Sequence, residues 1–176
     1  MKKDTTIEMQ AAKIELLVLD VDGVLTDGHV MLTEKGEEIK SFNIKDGLGL
    51  KMLIEAGIEV VLITGRSSKA LAHRAKELGI ERVCQGVMDK ASILAEIMNE
   101  KKLQNVNVCS VGDDLPDLPL FSLSGISVAV ADAAPELKGE AMLVTKSRGG
   151  NGAVREVCEL ILKAKGKWPR PLSGRR

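Results

Sequence analysis

The chain has 176 residues and 44% apolar content, enough for one domain with a full core, and Lys plus Arg (25) equals Asp plus Glu (25). That balance leaves no net field to gather nucleic acid, and Phe42, Phe121 and Trp168 are the only aromatics on which bases could stack. No apolar run reaches the roughly 18 residues a membrane helix needs, and Met1 to Thr6 lacks the apolar stretch of a secretory signal, so the expectation is a cytoplasmic protein with no membrane partner. Cys84, Cys109 and Cys158 are too widely spaced for a zinc site or a disulfide framework and read as small core residues.

In chain order, Leu16 to Leu19 is a run of four apolar residues leading into Asp20-Val21-Asp22-Gly23. The pattern predicts a buried central strand that ends at a site. Two acids two positions apart repel unless a cation sits between them. His29 to Thr33 and Glu38 to Phe42 flank Glu34-Lys35-Gly36-Glu37, which predicts a β-hairpin that must pack on something to persist. Asp46 reads as the cap of a helix running to about Ala56 and stopping at Gly57.

Ile58 to Ile63 predicts a second buried strand, delivering Thr64 and Arg66. Ser67 or Ser68 then caps a helix whose Leu71, Ala75 and Leu78 share one face, with Arg74 one turn in. Arg74 reads equally as a site residue or a surface ion-pair residue. A short strand over Glu81 to Gln85 follows, then a helix from Asp89 or Lys90 that buries Ile93, Leu94, Ile97 and Met98. Val106 to Val111 predicts a third central strand carrying Gly112-Asp113-Asp114, and Pro116 and Pro119 suit the first turn of a short helix. Strands at Ile126 to Val130 and Ala141 to Val144 are separated by a helical turn near Pro135. The last helix buries Val154, Val157, Cys158, Ile161 and Leu162. Alternating strands and helices predict an α/β fold, a Rossmann-like, doubly wound and mostly parallel sheet. One domain is expected, with a core over 14–165 and a basic tail over 166–176. After Glu159 there are bases but no acids, which fits either a solvated tail or an arm that covers an anionic substrate.

A carboxylate pair, a threonine, a lysine and a second carboxylate pair thus fall in order at strand ends or helix starts, where open parallel sheets build their sites. In that order, Asp20-Val21-Asp22-Gly23-Val24, Thr64, Lys90 and Gly112-Asp113-Asp114 through Asp117 resemble the four motifs of the haloacid dehalogenase superfamily of phosphatases. Within it, Asp20 to Asp27, Asn43 to Gly47, Thr64-Gly65-Arg66 and Gly149 to Glu156 are similar to a branch that removes the 8-phosphate of 3-deoxy-D-manno-octulosonate during lipopolysaccharide precursor synthesis. The resemblance implies Mg²⁺ held by Asp20, the Asp22 backbone carbonyl and Asp113, with Asp114 and Asp117 orienting groups around it. It implies Asp20 as nucleophile, forming an aspartyl-phosphate, Asp22 as acid and base, and Thr64 and Lys90 on the phosphoryl oxygens. A sugar-acid phosphate would be bound by Asp22, Asn43, Ile44, Lys45, Asp46, Gly47, Lys51, Arg66, Arg74 and Lys90, with Lys51 standing where an Arg is expected.

The intervals between motifs leave no room for a separate cap domain. The resemblance implies that the hairpin is a flap beside the site and an assembly surface, and that the chain forms a homotetramer. Gly149 to Gly152 reads either as a loop near phosphate or as a connector. The alternatives are a phosphatase of another acyl sugar phosphate, or a phospho-accepting receiver-type signalling domain, which would lack the second acid.

Overall fold

A computed structural model describes residues 2–168 of the protein and the side chains of residues 7–168. The chain runs α1 (Lys2–Ala11), β1 (Leu16–Leu19), β2 (Met31–Leu32), β3 (Glu38–Ile39), α2 (Ile44–Glu55), β4 (Glu59–Ile63), α3 (Lys69–Leu78), β5 (Arg82–Cys84), α4 (Lys90–Lys101), β6 (Val108–Gly112), α5 (Leu118–Ser122), β7 (Ile126–Ala129), α6 (Pro135–Glu140), β8 (Leu143–Val144) and α7 (Ala153–Ala164). Six strands form one parallel sheet in the order β5-β4-β1-β6-β7-β8. The expected doubly wound α/β sheet is therefore present, and every pairing in it is parallel rather than most of them. β1 lies at its centre with all four residues buried, as its unbroken apolar run requires.

Period-two alternation divides the core. Leu17, Leu19, Val60, Leu62 and Val111 face a layer built from α1, α2, α3 and α7, while Leu16, Val18, Val61, Ile63 and Val108 face Leu94, Ile97 and Met98 of α4 and Leu120 of α5. Extending the second set by two places Asp20 beyond Val18 toward α4. That parity, fixed by the apolar residues, aims the first acid at the start of α4.

Several local expectations change. The hairpin ladder is two residues long on each side, Met31 against Ile39 and Leu32 against Glu38, and the turn beyond it is closed by the Thr33 amide donating to the Glu37 carbonyl at 2.9 Å. Asn43, not Asp46, caps α2, its side chain accepting from the Lys45 and Asp46 amides. Asp46 instead lies buried and accepts from the amides of Gly152 (3.2 Å) and Arg155 (2.7 Å), 106 and 109 residues away. Ser68 caps α3 and Asp89 caps α4, as read from the sequence. Helix α1 was not expected: its residues carry no strong apolar stripe, and it holds its place by packing on α7. Of the basic tail, Lys167 and Trp168 are described, with Trp168 between the cations of Arg155 (4.8 Å) and Lys163 (5.2 Å). Arg170, Arg175 and Arg176 lie outside the described residues.

Candidate active site

The site is assembled at the carboxyl ends of β1, β4 and β6, beside the strand whose neighbours connect in opposite directions. Lys90, the first residue of α4, is buried and donates to Asp20 Oδ1 at 2.6 Å and to Asp117 Oδ1 at 2.7 Å. Asp117 is fully engaged: its other oxygen accepts from the amides of Asp113 (3.0 Å) and Asp114 (3.4 Å), which fixes the turn after β6. Carboxylate oxygens of Asp20, Asp113 and Asp117 lie within 4.8 Å of one another.

One lysine does not neutralise three clustered acids, two of them buried and one half-buried. Burial raises the Asp20 carboxyl to about 6, with Asp117 adding to the shift and Lys90 opposing it. Burial also pushes Asp113 up to about 8, reinforced by the charges of Asp20, Asp117 and Asp114. Burial pulls the Lys90 ammonium down, but Asp20 and Asp117 outweigh it and its net shift is upward. A hard divalent cation fits this oxygen-only donor set and would relieve the excess negative charge.

The backbone supports the same reading. Gly23 has φ 94°, and a Cβ there would overlap the Asp113 carboxylate, so the Asp22–Gly23 peptide adjoins that acid. Asp20 and Asp113 thus gather in one cluster, with the Asp22–Gly23 peptide beside Asp113. Asp117, expected only to orient surrounding groups, proves to be the third carboxylate of the cluster as well as the partner of Lys90. Gly149 packs on this turn so closely that a Cβ would overlap the Gly23 carbonyl, and the Gly150 amide donates to the Val24 carbonyl at 2.9 Å. The glycine loop therefore buttresses the acidic turn, a role its composition alone did not reveal.

Thr64, Gly65, Arg66, Val87, Met88, Lys90, Asp114 and Pro116 line the same cleft as the three acids and Asp22, enclosing about 360 Å³, a small-ligand volume. Thr64 is buried, and its hydroxyl accepts from the Arg66 amide at 3.2 Å. The Asp22 side chain turns away from Asp20 toward the hairpin, where it pairs with Lys40, while Arg66 bonds Glu38 at 2.8 Å. Glu38 and Lys40 were missed as site residues. Their signal was the period of a strand, since residues 38 and 40 share one face and Ile39 takes the exposed one.

The remaining sequence candidates lie outside the cleft. Asn43 is occupied as the α2 cap and by its bond to the Gly150 carbonyl, and Asp46 by the start of α7. Ile44, Lys45 and Lys51 are exposed on α2. Gly47 and Arg74 pack together, with Arg74 also bonded to Glu77 at 2.8 Å and 6.0 Å from the Phe42 ring centroid. Arg74 makes the ion pair of its second reading, with its side chain largely covered.

Residues 82–157 match the model of the haloacid dehalogenase-like hydrolase family. The 3-deoxy-D-manno-octulosonate 8-phosphate phosphatase of Yersinia pestis is 48% identical over 158 residues, which cover 90% of this chain and 84% of that protein. The enzyme of the same name from Escherichia coli K12 is 46% identical over the same shares. The solved Yersinia pestis structure matches with a TM-score of 0.90 at 47% identity, covering 92% of this chain and 87% of that one. The Moraxella catarrhalis enzyme, solved with magnesium ion, phosphate ion and KDO, matches with a TM-score of 0.89 at 41% identity over 92% and 93% of the two chains. Sheet order, acidic cluster and sequence relationship together place the chain in the 3-deoxy-D-manno-octulosonate 8-phosphate phosphatase family of the haloacid dehalogenase-like hydrolases.

Proposed function

We propose that this protein is a magnesium-dependent phosphatase that converts 3-deoxy-D-manno-octulosonate 8-phosphate to the free sugar acid and phosphate, supplying lipopolysaccharide synthesis in the cytoplasm. The observation that carries the reading is Lys90 held between Asp20 and Asp117 with Asp113 in the same cluster, in the lining of a cleft that Thr64 also lines. Asp20, the Asp22 carbonyl and Asp113 would hold Mg²⁺, which when bound neutralises phosphoryl oxygens that would otherwise repel a nucleophile.

Asp20 attacks phosphorus in line with the departing sugar oxygen and becomes an aspartyl-phosphate. Asp22 gives a proton to that oxygen and then takes one from the water that cleaves the acyl phosphate. Thr64 donates its hydroxyl hydrogen to a phosphoryl oxygen, and Lys90 supplies positive charge to the phosphoryl group and to Asp20. Asp117 keeps Lys90 and the turn after β6 in register. Arg66 stands at the cleft side where a sugar carboxylate can meet its guanidinium.

The test is phosphate release from a panel of sugar phosphates, with and without Mg²⁺, by the wild-type chain and Asp20→Asn. The expected result is turnover of the octulosonate ester in Mg²⁺ and none from the variant. Preference for another acyl sugar phosphate moves the substrate and keeps the chemistry. A stable phosphoprotein without turnover replaces the phosphatase by a receiver-type domain.

A further inference from the structure

Beyond the groups that act on phosphorus, two residues of the cleft, Asp22 and Arg66, are tied to one face of the hairpin. Lys40 Nζ contacts both Asp22 and Glu38 Oε1 (3.4 Å), and Glu38 Oε1 also accepts from Arg66 Nη2 at 2.8 Å. The side chain of Lys40 is 4% exposed and that of Glu38 16%, whereas that of Arg66 is 50% exposed. Arg66 Nε stands 3.9 Å from Asp22, and among the described residues Nη1 carries no hydrogen bond. Glu38 thus grips one nitrogen of the guanidinium and leaves the opposite corner toward solvent at the cleft.

This arrangement is poorly explained by stability. Glu38 Oε2 and Asp22 Oδ2 are buried without hydrogen-bond partners among the described residues, so the network does not use all of its acceptors. The hairpin itself has only a two-residue ladder and cannot hold a shape unaided. What the network does accomplish is to fix an otherwise flexible arginine, whose fork recognises a carboxylate only when its plane is set.

We infer that Glu38 is a positioning residue for substrate selectivity: it holds the Arg66 guanidinium so that the open side of its fork meets the carboxylate of an acid-bearing phosphate ester. This rests on the proposed sugar-acid substrate. Glu38 touches neither phosphate nor nucleophile, and its effect reaches the reaction through Arg66, with Lys40 pinning Glu38 from the Asp22 side.

The experiment compares kcat and KM of the full chain in Mg²⁺ on 3-deoxy-D-manno-octulosonate 8-phosphate and on p-nitrophenyl phosphate, which has no carboxylate. Variants are Glu38→Ala, Glu38→Gln, Arg66→Ala and the double variant Glu38→Ala with Arg66→Ala. The expected result is that Glu38→Ala lowers the ratio of the two kcat/KM values at least tenfold, chiefly through KM for the sugar acid. Glu38→Gln, whose amide oxygen still accepts from Arg66, recovers part of that loss, and the double variant is no worse than Arg66→Ala alone. An unchanged ratio, equal losses on both substrates, or additive losses in the double variant would each overturn the positioning role alone. A wild-type chain that ignores the sugar acid yet cleaves the aryl phosphate would overturn the substrate reading with it.

Discussion

Asp20 and Lys90 stand 70 positions apart and Lys90 and Asp117 stand 27 apart, yet one ammonium links both carboxylates inside the protein. Removing the lysine leaves two acids without their cation, and breaking such a buried pair costs about 3–5 kcal/mol. Lys90→Ala is therefore expected to lose turnover and also to lower the urea midpoint in Mg²⁺-free buffer; an unchanged midpoint would mean that the ion pairs contribute nothing to folding. The raised carboxyls set a pH dependence of known sign. Asp20 (about 6) and Asp113 (about 8) hold protons more tightly folded than unfolded, which stabilises the metal-free protein at low pH and is lost as pH rises through those values. Mg²⁺ needs the ionised forms, so its stabilisation should run the opposite way and grow from pH 5.5 to 8.5. Thermal melts at fixed Mg²⁺ measure this, and Asp113→Asn should flatten the trend. A Mg²⁺-induced shift that is constant across this range would remove the assignment of these acids as ligands.

At the scale of elements, the acidic turn after β1 is held from behind by the segment entering α7. Asp46 of α2 ties that segment down by accepting two backbone amides, and Gly149 lies flat against the Gly23 carbonyl. Asp46→Ala leaves the Gly152 and Arg155 amides unpaired at a cost of about 1–3 kcal/mol, measurable as a lower denaturant midpoint. Gly149→Ala is expected to act more sharply on catalysis, because its Cβ must displace the turn that carries Asp22; full activity in that variant would show the contact to be dispensable. Element positions were largely legible from sequence because buried strands are unbroken apolar runs and α3, α4 and α7 carry their own caps or stripes. Asp46 was misread for a physical reason: an acid before an apolar run scores as a cap, and nothing local reports an acceptor claimed from more than 100 residues away. The short α1 escaped because its support comes from α7 and not from its own pattern.

For the whole molecule, the hairpin exposes Val30, Met31, Leu32 and Ile39, with Met31 and Ile39 paired on the face opposite Glu38, and Ile44 and Leu48 of α2 are also uncovered. Apolar side chains gathered on a two-residue ladder are a surface that a second copy can bury. The homotetramer expected from the sequence can be tested on this surface. Met31→Glu is expected to shift the mass found by light scattering to the monomer, and to lower activity because the Glu38–Arg66 pair loses its support. A tetramer persisting in that variant would place the interface elsewhere.

The sequence by itself determined the parallel α/β class, the central strand, the ordered acids, threonine and lysine of the site, and the absence of room for a cap. Those are properties of local period and of residue types at strand ends, which a linear chain displays. Only the tertiary structure decided that Asp117 joins the acidic cluster, that Asp46 serves the backbone, that the glycine loop braces the acidic turn and that Glu38 and Lys40 pair with the cleft residues Arg66 and Asp22. Each of these is a choice of partner, and a polar side chain's partner depends on which distant segment folding brings within about 3 Å of it.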